Sequence, residues 1–264
     1  MATFHVITGA SETPVHPTIR KIGIGDLRQA LIKGWDDFAA YPSQAIFIVL
    51  IYPIVGFVLS RLAVGSATLP LLFPLIAGFA LVGPIAAVGL YELSRRRELG
   101  LESSWTHAFD VLKRPSILAI AALGVVLMVI FFAWMAAAQS VYHSLFGPYA
   151  PDSIVTFLNE VLTTPAGWQL ILIGNTIGFL FAVLVLAIGA ISFPMLVDRD
   201  VGAAAAVLTS VRTVIANPIT MAVWGFIVGT LLLIGSVPFF AGLAIVMPLL
   251  GHASWHLYRR AVSR

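Results

Sequence analysis

Six long apolar stretches, separated by short or charged connections, constrain this chain more than any other feature. A helix needs about 20 apolar residues to cross the hydrocarbon core of a bilayer, and each stretch is close to that length. The sequence therefore predicts an all-α bundle of six transmembrane helices, paired as three hairpins. The predicted spans are residues 43–62, 71–91, 116–139, 168–194, 219–235 and 237–258.

The lysines and arginines predict how these spans are oriented. Of the 15 Lys and Arg residues, 14 fall in segments that lie on one side of a six-span bundle, and only Arg61 falls on the other side. Cytoplasmic loops retain Lys and Arg during membrane insertion. We therefore expect both chain termini to lie in the cytoplasm.

The composition is typical of a membrane protein. Hydrophobic residues make up 59% of the chain, charged residues 10%, and the mean hydropathy is +0.99, whereas soluble domains contain about a quarter charged residues. We interpret residues 1–21 as a flexible cytoplasmic tail and residues 22–264 as one transmembrane domain. The basic residues lie where apolar stretches end, which predicts contact with the lipid bilayer and not with nucleic acid. The absence of cysteine excludes thiolate metal sites and iron–sulfur clusters.

Three cytoplasmic connections carry a helical pattern that plain linkers lack. In residues 26–40, apolar residues such as Leu27 and Ala30 share one helical face, and polar residues such as Arg28 and Asp37 occupy the other. Similar patterns precede the third and fifth spans. Each pattern predicts an amphipathic helix at the membrane surface, ended by a proline that bends the chain into the next span. The prolines are Pro42, Pro115 and Pro218. The predicted interfacial anchors are Trp35, Phe38, Trp105, Phe109, Arg95, Arg96, Arg259 and Arg260.

Aligning the three prolines predicts a threefold repeat with units 26–100, 101–200 and 201–264. Each unit would contain an interfacial helix, a proline bend and a transmembrane hairpin. The run from Pro84 to Arg96 also matches the run from Pro248 to Arg260 in spacing. The alternative is a chance alignment, because apolar sequences align readily and basic residues commonly end the cytoplasmic side of a span.

The connection over residues 140–167 has no Lys or Arg and is predicted to lie outside. Within it, Ile154, Phe157 and Val161 recur at helical spacing. Asp152 or Ser153 precedes them, and either side chain can cap a helix. This pattern predicts a short helix on the outer surface.

Two segments resemble a known family. GDLRQALIKGWDDFAAYP at residues 25–42 and GPIAAVGLYELSRRRELG at residues 83–100 resemble a bacterial family of integral membrane proteins of unknown function, over about residues 22–260. Some members of that family are labelled cytochrome c oxidase subunits. The resemblance implies a location in the bacterial inner membrane and an accessory role near a respiratory complex. It implies no functional residues.

The chain contains few groups that can do chemistry within a membrane. His252 and His256 lie four residues apart on the last span, and Glu92 lies near the matching end of the second span. Together these three side chains predict a metal site. The alternative is that the two histidines are solvated. Asn175 and Thr176 predict a substrate site in the fourth span, with helix packing as the alternative. We predict no catalytic residue and no cofactor.

The sequence leaves two functions open. The first is a non-enzymatic accessory or scaffold component of a membrane complex, since the surface helices and spans are well specified and reactive groups are scarce. The family resemblance implies a respiratory oxidase as that complex. The alternative is a channel or small-molecule transporter with a cavity between the helical hairpins.

Overall fold

The computed structural model describes residues 17–40, 56, 70–149, 151–237 and 241–263. Every regular element in these residues is a helix, as the sequence predicts. The helices are α1 (Ile24–Ala40), α2 (Leu72–Leu81), α3 (Gly83–Ala86), α4 (Val88–Glu98), a 3₁₀ helix (Trp105–Lys113), α5 (Ile117–Phe146), α6 (Ile154–Thr163), α7 (Pro165–Gly189), α8 (Ser192–Asp198), α9 (Ala203–Ala216), α10 (Pro218–Ser236) and α11 (Leu243–Ala261).

Within the described residues, three helical segments are long and apolar enough to cross a membrane. They are Ile117–Phe146, Pro165–Asp198 and Pro218–Ser236. These segments coincide with the predicted third, fourth and fifth spans. The second of them comprises α7 and α8, which only two residues separate.

The other three predicted spans stay predictions. The first, 43–62, lies outside the described residues except for residue 56. The second, 71–91, is divided among α2, α3 and the start of α4, and Pro84 near the first break has no N–H to donate to a helical hydrogen bond. The sixth, 237–258, is largely occupied by α11, which begins at Leu243 and continues to Ala261.

Local signals place several helix ends where the sequence predicts them. The predicted short helix is present as α6, and the Ser153 side chain caps it by accepting a hydrogen bond from the Thr156 N–H at 3.1 Å. Its location on the outer surface stays a prediction. Pro218 is the first residue of α10, where a missing N–H costs nothing. Pro115 lies between the 3₁₀ helix and α5.

The chain divides into two compact units. One contains residues up to 53, 83–125 and 186–264, and the other contains residues 54–82 and 126–185. In the second unit, Trp134 is buried and its indole N–H donates to the Pro74 carbonyl at 2.8 Å. Its ring also packs against Phe181 and lies close to Gly178.

The first unit is organised around α4, α8 and α11. These three helices contact one another pairwise, and each also packs against a helix outside this set. The 3₁₀ helix contacts α4, α9 contacts α8, and α1 contacts α11. In the second and third predicted repeat units, the first helix packs on the last helix of the preceding unit. The first helix of the first unit, α1, packs on the last helix of the third unit, α11. This cyclic pattern supports the threefold repeat as a proposal.

Small residues allow the backbones to approach at these contacts. A Cβ added to Gly34 of α1 would lie 2.7 Å from the Ala253 nitrogen and 2.9 Å from its Cα. A Cβ on Gly89 of α4 would lie 3.1 Å from the Ala108 Cβ in the 3₁₀ helix. The two ends of the described chain also meet, because Ile19 and Val262 form an antiparallel bridge.

Candidate functional site

A buried carboxylate, Asp37 of α1, lies at the centre of a polar cluster in the first unit. Its Oδ2 accepts hydrogen bonds from the Ser94 hydroxyl at 2.6 Å and from His256 Nε2 at 2.8 Å. Its Oδ1 accepts one from Arg97 Nη1 at 2.7 Å. One side chain of α1 therefore ties together α4 and α11.

The hydrogen bonds around Asp37 determine its charge. Burial alone would raise the pKa of Asp37, but the hydrogen bonds from His256 and Ser94 and the nearby histidines outweigh burial and hold the pKa below its ordinary value. The carboxylate is thus ionised at neutral pH, and Arg97 provides a compensating positive charge. A buried charge that is paired and hydrogen-bonded in this way is a structural link between helices.

His252 is the second buried member of this cluster. Its Nδ1 lies 2.7 Å from the Ser94 hydroxyl oxygen, and because that hydroxyl donates to Asp37, Nδ1 must carry the proton. Nε2 of His252 is fully buried and has no hydrogen-bond partner among the described residues.

The set Ser94, His252 and Asp37 has the residue types of a hydrolase triad but not its geometry. In a triad the histidine accepts the serine proton, whereas here the serine donates to the carboxylate. Ser94 is also buried, so a substrate has no direct access to its hydroxyl. The arrangement holds helices together and does not activate a nucleophile.

Glu92 lies in a different ion-pair cluster. Its carboxylate contacts Arg95 at 3.0 Å and Arg114 at 2.9 Å. Burial raises the pKa of Glu92, and the hydrogen bonds and charge of Arg114 oppose that rise. The structure therefore places Glu92 with two arginines, whereas His252 and His256 both face Asp37.

The predicted metal triad is thus divided between two clusters. In the part of the chain that the structure describes, no group of three or more His, Asp or Glu side chains is placed to hold a metal ion. A metal site formed by Glu92, His252 and His256 stays a prediction from sequence spacing.

The arginines predicted as interfacial anchors all form ion pairs with acidic side chains. Arg95 pairs with Glu92, and Arg96 pairs with Asp110 at 3.2 Å. Arg259 bridges Glu98 at 2.9 Å and Asp198 at 3.2 Å, and thereby links α4, α8 and α11. Arg260 contacts Asp26 of α1 at 2.6 Å.

The predicted aromatic anchors divide into exposed and buried residues. Trp35, Trp105 and Phe109 each expose about half of their surface, which fits contact with lipid headgroups. Phe38 is instead buried, on the same side of α1 as Leu27, Ala30 and Gly34, which pack towards α11.

Asn175 and Thr176 are exposed on α7 and bond to their own helix. The Asn175 amide donates to the Ile171 carbonyl and the Thr176 hydroxyl to the Leu172 carbonyl, both at 2.7 Å. Such back-bonding satisfies polar side chains within a helix. A substrate site at these two residues stays a prediction.

A charged cavity of about 540 Å³ opens beside Asp37 in the first unit. Its wall comes from α1, the start of the described chain, the end of α4 and the last turns of α11. Arg20, Lys33, Asp36, Asp37, Arg97, Glu98, His256, Arg259, Arg260 and Val262 line it. Nine of these ten residues are charged or titratable, so the cavity suits a polar ligand.

Sequence reasoning missed the central residue of this cluster. The helical pattern placed Asp37 on the polar face of residues 26–40, but Asp37 is buried with Leu27, Ala30 and Gly34. The spacing of these four positions follows one helical stripe, and that regularity was the available signal. Ser94 and Arg97 offered no comparable signal, because their partners are distant in sequence.

Comparison with known families finds one match. Residues 71–198, just under half of the chain, match the family model described as "Predicted integral membrane protein (DUF2189)". The matched region includes two of the three candidate spans. No curated protein and no solved structure matches the chain. The matched family and the three apolar helices both indicate a multi-pass integral membrane protein.

Proposed function

We infer that this chain is a non-enzymatic scaffold or accessory component of a membrane complex, with a respiratory oxidase as the first partner to examine. It would lie in the bacterial inner membrane with six spans and both termini in the cytoplasm. The support is a contrast between two parts of the molecule, the apolar spans and the polar cluster.

Among the described residues, the spans formed by α5 and α10 are mostly exposed. In the most apolar 18-residue stretch of each helix, only 33% of α5 and 22% of α10 are buried. Exposed residues such as Val129 and Phe226 provide surface for lipid or for the spans of another protein. These faces are the observation that carries the proposal.

Three acidic groups of the first unit, in contrast, are paired within the chain. Asp37, Glu92 and Asp198 each accept hydrogen bonds from basic side chains of the first unit. Such a network fixes the positions of the helices that carry it. A rigid polar cluster combined with exposed apolar spans is what we expect of a scaffold.

The transport alternative has weaker support from the described residues. Asn175 and Thr176 line neither the cavity beside Asp37 nor a smaller cavity bordered by Arg95, Asp198 and Trp255. The larger cavity is lined by charged side chains of the predicted cytoplasmic segments. Flux of a small molecule that is abolished by Asn175→Leu would favour transport over the scaffold proposal.

Gentle extraction tests the scaffold proposal. The chain would be solubilised from native membranes with a lipid-retaining polymer, and the copurifying proteins would be identified by mass spectrometry. We expect a membrane partner at a fixed stoichiometry, and haem absorbance if the partner is an oxidase. Recovery of this chain alone in repeated preparations would contradict the proposal.

Cysteine labelling tests the proposed topology, because the chain has no cysteine of its own. Single cysteines at the exposed positions Arg28, Arg212 and Asp152 would be treated with a membrane-impermeant maleimide in intact spheroplasts. We expect labelling of Asp152→Cys before lysis and of the other two only after lysis. Labelling of Arg28→Cys in intact cells would overturn the orientation.

A further inference from the structure

We propose that the cavity beside Asp37 binds a phosphate-bearing anion, supplied either by a soluble phosphate ester or by the headgroup of an anionic lipid. The site does not depend on the scaffold proposal, because it requires no protein partner. Its support comes from which cations of the lining are already paired and which are not.

Three of the five cations that line the cavity are paired with acids. Arg97 pairs with Asp37, Arg259 with Glu98 and Asp198, and Arg260 with Asp26. These pairs neutralise the acids that they contact, of which Asp37 is buried. They also hold the wall rigid, since the partners lie on different helices.

The other two cations, Arg20 and Lys33, form no side-chain hydrogen bond or ion pair with a described residue. Both are exposed at the cavity. Asp36 is the one lining acid that likewise has no described partner, so the unpaired groups carry a net charge of +1. The cavity thus offers two free cations to one free carboxylate, which favours an anion.

The position of Arg20 is fixed although its side chain is free. Its N–H donates to the Ala261 carbonyl at 2.8 Å, and its carbonyl accepts from the Asn217 amide at 3.1 Å. Lys33 lies within the regular helix α1. The two cations are therefore carried on ordered backbone, and a ligand loses little entropy in ordering the site.

Phosphate is the anion class that this lining fits best. Arg presents a fork of donors that matches phosphate oxygens, and Lys binds phosphate as a point charge. The volume of about 540 Å³ accommodates a phosphate together with the glycerol or sugar that it esterifies. Val262 is the single apolar residue of the lining. The cavity therefore offers too little apolar surface to bind an acyl chain, and a lipid would contribute its headgroup only.

Binding measurements on the purified full chain test this site. Protein in a phosphate-free neutral detergent would be titrated with glycerol 3-phosphate, with sodium chloride at matched ionic strength as the reference. In a second arm, protein in nanodiscs of phosphatidylcholine or of phosphatidylcholine with phosphatidylglycerol would be analysed for retained lipid by native mass spectrometry. Binding in the first arm identifies a soluble ester, and selective retention of phosphatidylglycerol in the second identifies a headgroup.

The variants Arg20→Gln and Lys33→Gln should each weaken binding about tenfold, the value expected for loss of one charge-assisted contact. Arg28→Gln is the matched control, because it removes the same charge from an exposed position of α1 that does not line the cavity, and we expect less than a twofold effect. The proposal is overturned if neither arm shows binding, or if Arg28→Gln weakens binding as much as the other two. Unchanged melting temperatures of all three variants would show that the fold is retained.

Discussion

Asp37 illustrates how a charged residue can be part of the packed side of a helix. Three helices contribute to its environment, since its partners come from α4 and α11. Such a carboxylate is stable inside only while its hydrogen-bond donors remain. The consequence is that its removal takes the acceptor away from the buried Ser94 hydroxyl and from the partly exposed Arg97 and His256.

We predict that Asp37→Asn destabilises the folded protein by about 3 kcal/mol or more, the cost typical of breaking a buried ion pair. The amide cannot accept from Arg97, His256 and Ser94 as the carboxylate does. Thermal or denaturant unfolding in detergent would measure the loss. Asp36→Asn is the matched control, because Asp36 directly precedes Asp37 and is exposed. We expect this substitution to change the stability by less than about 0.5 kcal/mol.

The wild type and Asp37→Asn should respond differently to acid. Because folding lowers the pKa of Asp37 below its ordinary value of 3.8, the stability contributed by the ionised carboxylate is complete above that value and is lost as the pH falls through the lower folded-state pKa. The stability difference between the wild type and Asp37→Asn should therefore be constant near neutral pH and shrink below about pH 3.8. A difference that stayed constant down to pH 2 would contradict this.

A substitution at Gly34 tests the close approach of α1 and α11. The added Cβ of Gly34→Ala would meet backbone atoms of Ala253 at under 3 Å, and backbone cannot rotate away as a side chain can. We predict a loss of about 1–3 kcal/mol, seen as a lower melting temperature. Gly25→Ala on the same helix has open space around its Cβ and should be neutral or slightly stabilising.

At the scale of elements, the sequence predicts well those helices whose signals are local. The apolar length of residues 116–139, the Ser153 cap and the first-turn proline at 218 each act within one helix, and helices are found there, although α5 continues to Phe146. The predicted span 71–91 stays a prediction, because the structure divides this stretch among α2, α3 and the start of α4. Contacts such as Asp37 with Arg97 were not predictable, since they join residues 60 positions apart and no local pattern encodes that pairing.

The exposed face of α5 permits a test of whether it lies in lipid. Val129, in the middle of α5, is 62% exposed, and Leu112 on the 3₁₀ helix is 63% exposed. A charge near the bilayer centre costs about 2.5–3.5 kcal/mol on insertion scales, whereas a headgroup position tolerates it. We predict that Val129→Arg lowers the yield of folded, membrane-integrated protein several-fold and that Leu112→Arg does not. Carbonate extraction followed by size-exclusion chromatography would measure both, and equal yields would argue against lipid contact at Val129.

At the scale of the whole molecule, the first unit has a cyclic order of contacts that the chain itself does not close. Two of the three junctions, from α4 to the 3₁₀ helix and from α8 to α9, are continuous in sequence. The third joins α11 to α1 without a peptide bond between them. There, the Ile19–Val262 bridge and a hydrogen bond from the Ser263 N–H to the Thr18 carbonyl at 3.0 Å hold the two ends together.

A circular permutant tests whether the three junctions are equivalent. Residue 263 would be joined to residue 17 by a short Gly/Ser linker, and new ends would be placed between Leu101 and Glu102, at another of the three junctions. Because the joined residues already lie side by side, closing them costs little loop entropy. We predict that this permutant inserts and melts within a few degrees of the linear chain trimmed to residues 17–263.

A second permutant provides the control. It has the same linker but new ends between Thr209 and Ser210, two buried residues inside α9, and it should not fold because the break removes helical hydrogen bonds and packing at once. If the Leu101 permutant failed as the Thr209 permutant does while the trimmed linear chain remained folded, the junctions would not be equivalent. The contact between α1 and α11 would then be an ordinary helix pair, and the threefold repeat would lose its structural support.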